Sequence, residues 1–175
     1  MVILICEQLP VSISTNHLVR RVANMVNLSQ HLNSRIQLTI MKKIILSGLI
    51  AAVTLLIVSF AALYFTIYVF PDLALEYYEP AFRSTEGGTI MYFLHPFVLS
   101  FGLAWFWDRF KSQFAKPRFV KELEFGLVYV IIATLPCFWL VYSAMNVSVE
   151  QVLTWIIYGF VQAVIAAAVF VRINP

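Results

Sequence analysis

Four stretches of this chain contain no aspartate, glutamate, lysine or arginine: residues 44–71, 87–107, 125–149 and 151–171. Each matches or exceeds the roughly 20 residues that a helix, rising about 1.5 Å per residue, needs to cross a hydrocarbon layer about 30 Å thick. In lipid every backbone N–H and C=O must find its partner within the protein, which leaves helices and closed barrels. Barrel strands alternate polar and apolar residues, and these runs do not. The expectation is an all-α, polytopic membrane protein with four transmembrane helices, at about 44–70, 88–107, 125–145 and 151–171.

Composition supports lipid as the solvent. Of the 175 residues 61% are hydrophobic and 12% charged, against about 25% charged in an ordinary soluble domain. So little polar surface cannot cover a core of this size in water. The formal charge is +3, and the basic residues sit beside apolar segments, not in a stripe interleaved with aromatics, so nucleic acid is not expected as a partner. Cys6 and Cys137 lie far apart, the second inside an apolar run, and neither reads as half of a disulfide.

Basic residues orient the helices. Arg109, Lys111, Lys116, Arg118 and Lys121 fall between the second and third segments, Lys42 and Lys43 precede the first, and Arg172 follows the fourth. The connection after the first segment is acidic, with Asp72, Glu76, Glu79 and Glu86 against Arg83, and Glu150 stands alone after the third. The positive-inside bias then places both termini in the cytoplasm, an N-in/C-in arrangement in a bacterial inner membrane.

Residues 1–40 are polar and mixed, and no sustained period stands out in them. Met41-Lys42-Lys43 directly before a long apolar run has the form of a natural start. The chain therefore divides into an extension, 1–40, read as disordered or as lying upstream of a mis-assigned start, and a four-helix transmembrane domain, 41–175. A mitochondrial targeting peptide is the rival reading of the extension, because arginine and serine are present and acid is scarce. Asn27-Leu28-Ser29 and Asn146-Val147-Ser148 match the glycosylation acceptor pattern and are read as chance occurrences.

Thr134-Leu135-Pro136 within the third segment, Tyr142-Ser143-Ala144-Met145 after it, and Trp155 and Gln162 in the fourth are similar to small four-helix bacterial membrane proteins of uncharacterised function. The resemblance spans residues 41–175 and rests on hydropathy and a few residues. It implies a fold and a location but no activity.

Several residues can carry more than packing. His95 is the histidine of the apolar region, followed by Pro96. Intramembrane histidines often bind protons, metals or ligands, and they also serve as hydrogen-bonding contacts between helices. Asp72, Glu76 and Glu79 share one face if helical, which can gather cations or simply be solvated, and the solvated reading is preferred, with no metal site assigned. In the fourth segment Thr154, Tyr158 and Gln162 recur every fourth residue, as do Gly159, Ala163 and Ala167. The first set can hydrogen bond across helices or line a cleft; the second suits close helix packing. The ligand candidates are His95, Tyr158 and Gln162. Pro136 should bend the third helix and is a candidate hinge.

No H-E-x-x-H, P-loop, G-x-S-x-G or C-x-x-C pattern occurs, and no carboxylate lies within a span. An enzyme is not expected, nor is a cofactor. The expected function is that of a structural or accessory membrane protein, self-associating or bound to another membrane protein. The alternative is a small oligomeric transporter or channel for a small molecule or ion.

Overall fold

The computed structural model describes the backbone of residues 11–78, 86–114 and 117–175, and their side chains except those of 11–19 and 86–89. The fold is all-helical, with no strand among the described residues. Its elements are α1 (Val11–Val69), α2 (Pro71–Glu76), α3 (Glu86–Phe110), α4 (Arg118–Tyr129), α5 (Leu135–Ala144) and α6 (Val149–Ile173). A short 3₁₀ turn, Lys111–Gln113, follows α3, and a π-helical turn, Val130–Thr134, joins α4 to α5. Four helical stretches are long and apolar enough to cross a membrane: Arg20–Val69, Ile90–Gln113, Arg118–Ala144 and Val149–Ile173.

Local chemistry sets several of these ends. Pro71 opens α2 at the helical position where its missing N–H costs nothing. Ser148 caps α6 by accepting from the Gln151 N–H at 3.1 Å. Glu150 in the first turn of α6 and Arg172 in the last complement the helix dipole.

Two boundaries differ from the sequence reading. The helix expected from residue 125 begins at Arg118, because charged residues do not end a helix at an interface. Arg118 Nε meets Glu122 Oε1 at 3.1 Å across one turn, and the Lys121 N–H closes the first turn on Pro117 O. The first helix, expected from residue 44, begins at Val11. Between Val11 and Gly48 the chain has neither proline nor glycine to interrupt it. Ser29, Ser34 and Thr39 turn their hydroxyls back onto carbonyls of the preceding turn.

The chain divides into two units, Met1–Met41 and Lys42–Pro175. In the first, every described side chain from Arg20 to Thr39 is exposed. The second holds the core. On α1, Ser47, Ala51, Leu55 and Ser59 recur every fourth residue and are all buried. On α3, Pro96, Ser100, Leu103, Ala104 and Trp107 make the buried face. Gly48 lets the two helices close, since a Cβ there would stand 2.8 Å from the Phe101 ring. At the end of α3 nearer Arg109, the rings of Trp107, Phe114, Phe125 and Phe170 pack with centroids 5.5 to 6.5 Å apart. Large apolar side chains such as Val98, Ile132, Trp139 and Leu140 face outward. In water that surface is an aggregation hazard; in lipid it is simply solvated.

Candidate functional site

α6 carries the polar residues singled out in the sequence, and it packs against α4, the π turn and α3. Tyr158 donates its hydroxyl to Ser59 Oγ of α1 at 2.7 Å, and Gln162 Nε2 donates to the Tyr158 hydroxyl at 2.9 Å. Ser59 Oγ in turn donates to the Leu55 carbonyl at 2.8 Å. The three side chains form one directed chain, from amide to phenol to hydroxyl to backbone carbonyl. Gln162 and Ser59 are almost fully buried. In a low-dielectric interior such a chain is strengthened by mutual polarisation.

Thr154, the third member of that stripe, does not join. Its hydroxyl donates to the Glu150 carbonyl of its own helix at 2.8 Å. It lines an open cleft of about 560 Å³ together with Phe70, Asp72, Glu76 and Glu150. Glu76 accepts from Ser148 Oγ at 2.9 Å, so the carboxylate is engaged with the cap of α6. Glu79 and Arg83 lie outside the described residues. No cluster of three or more metal-ligating side chains occurs among those described.

His95 stands apart from Tyr158 and Gln162. Its side chain is exposed and makes no hydrogen bond among the described residues, while the adjacent Pro96 is buried. Of the three ligand candidates the structure joins two.

Gly159, Ala163 and Ala167 are buried together. A Cβ on Gly159 would meet Thr134 Cγ2 at 3.2 Å and Oγ1 at 3.3 Å, so α6 rides closely on the π turn. The stripe is used within the chain. Pro136 lies just past that turn, near the start of α5. Proline lacks an N–H and its ring crowds the preceding turn. Widening the helix there, so that the Leu135 N–H reaches Val130 O, relieves both problems. Cys137 is exposed and unpaired.

Two polar clasps escaped sequence reasoning. At one end of the bundle Trp107 Nε1 donates to the Asn174 carbonyl at 2.8 Å, and Lys111 Nζ donates to Asn174 Oδ1 at 2.7 Å and to the Pro175 carbonyl at 3.0 Å. Asn174 Nδ2 completes the clasp by donating to Asp108 Oδ1 at 2.9 Å. At the other end Trp155 Nε1 donates to the Tyr77 hydroxyl at 2.7 Å. Burial pushes the Tyr77 phenol above its ordinary value, an effect that hydrogen bonds with Trp155 and Gln151 oppose. The signal for the first clasp was a tryptophan and three amide or charged side chains, Asp108, Lys111 and Asn174, near helix ends, but no spacing rule pairs residues 107 and 174.

Four apolar helices around a shared core fit a helical, multi-pass membrane protein. Comparison with known protein families, curated proteins and solved structures finds no match to this chain.

Proposed function

We propose that this chain is a structural or accessory membrane protein that works through helix contacts, with a second copy or with another membrane protein, in a bacterial inner membrane. The observation that carries this reading is the Ser59–Tyr158–Gln162 chain. The polar groups best placed to hold a ligand spend their hydrogen bonds on one another. Ser59 donates to a backbone carbonyl and accepts from Tyr158, so among the described residues no base takes its proton to make it a nucleophile. Cross-linking in native membranes is expected to trap a dimer or a hetero-complex, and monomer alone would overturn the reading.

The π turn favours a second reading, a small oligomeric transporter or channel, because such turns are frequent at functional sites. Gln162→Leu separates the two. For packing glue the loss is mild, on average about 0.6 kcal/mol for an interhelical hydrogen bond in a membrane, and vesicles show no change in flux. In a transporter the same substitution, or His95→Ala, alters flux while thermal stability holds.

Orientation is part of the proposal. With Lys42, Lys43, Arg109, Lys111 and Arg172 facing the cytoplasm, a reporter fused after Arg172 or inserted near Gln113 should read cytoplasmic, and one near Glu86 external. The opposite pattern would overturn N-in/C-in.

A further inference from the structure

With residues 11–43 helical, the part of α1 that precedes the core carries an apolar stripe, broken often enough by polar residues that the sequence alone showed no sustained period. At about 100° per residue, Val22, Met25, Leu32, Ile36 and Ile40 fall within an arc of about 80°. Asn24, Asn27, His31 and Ser34 fall on the other side, with Leu38 as an interruption. Val22, Met25, Leu32 and Ile36 are 48–62% exposed, and nothing described in their own unit packs on them. From residue 11 to 43 the chain has Arg20, Arg21, Arg35, Lys42 and Lys43 and no aspartate or glutamate. A helix with an apolar stripe and only positive charge is built for an anionic lipid surface: the stripe enters the acyl boundary and the basic side chains reach the headgroups.

We propose that the segment 20–41 docks along the surface of a membrane containing anionic lipid, as an amphipathic foot beside the first span. A second copy of the chain is a poorer occupant, because residues 20–41 carry arginine and no aspartate or glutamate, so pairing two copies of the segment would gather like charges without one carboxylate to offset them. The inference rests on the reading of the chain as a membrane protein, but not on its orientation.

The test uses the full chain in a Cys6→Ser, Cys137→Ser background, reconstituted in vesicles of phosphatidylcholine with or without phosphatidylglycerol. A fluorophore is attached at Ser29→Cys, in the middle of the stripe, or at Asn27→Cys, on the polar face. Brominated lipid should quench the label at position 29 far more than that at 27 when phosphatidylglycerol is present, and high salt should weaken the contrast. Replacing Arg20, Arg21 and Arg35 by glutamine should weaken docking of the segment by roughly fivefold per residue, read as loss of the extra quenching at position 29 that phosphatidylglycerol brings. Equal quenching at both positions, or none at either, would overturn the proposal. So would a disulfide between two copies at Ser29→Cys without lipid quenching, which would make the stripe a contact between chains. Both leaflets of these vesicles carry the same lipids, so a wrong orientation leaves this result intact and shows only in the reporter fusions. A chain that does not insert at all fails to float with the vesicles.

Discussion

Phe125→Ala is expected to cost about 3–5 kcal/mol. The Phe125 side chain is fully buried, and its ring centroid lies within 6.3 Å of those of Phe106, Trp107, Phe114 and Phe170. Lipid offers no relief, since much of the penalty is dispersion attraction that the atoms lining the cavity forfeit when the ring is gone. Thermal denaturation in detergent should show a marked fall in Tm, whereas Trp139→Ala, which removes an outward-facing ring, should leave it nearly unchanged. Equal effects of the two substitutions would mean that the aromatic cluster is not the centre of the core.

Gly126→Ala is expected to destabilise by about 1–3 kcal/mol through overpacking. Its Cβ would stand 2.5 Å from Val164 Cγ2 and 3.1 Å from Phe160 Cε2 of α6. Valine is stiff at χ1, so the neighbour cannot swing aside without moving the helix. Gly102→Ala is the matched control, because nothing lies within 4 Å of a Cβ at that position. There the better helix propensity of alanine should leave stability unchanged or raise it by up to about 1 kcal/mol. The sign of the pair is the measurement: if both substitutions are neutral in detergent melts, α4 and α6 do not approach as closely as the fold requires.

The central parts of the four long apolar helices were legible in the sequence because length and freedom from charge, the two properties that crossing lipid would demand, are written directly in the chain. The buried stripe Gly159, Ala163 and Ala167 was legible as a small-residue face for the same kind of reason: side-chain size at helical spacing needs no knowledge of the partner. Helix ends were less so. A charge-free run marks where lipid begins, whereas Arg118–Glu122 and the residues from Val11 onward continue a helix that lipid does not require.

Partnership was decided by the tertiary structure alone. Tyr158 and Gln162 were equally fit to line a cleft or to tie helices, and no spacing in the sequence announced that Tyr158 would meet Ser59 of α1, 99 residues away in the chain. His95 looked like their companion, but its register on α3 sends it outward while Pro96 faces in. The Trp107–Asn174 clasp and the seat of α6 on the π turn likewise depend on how separate helices are rotated and shifted against each other. Composition and periodicity describe one helix at a time. Relative rotation and depth are set by the joint packing of all of them, which no single segment encodes.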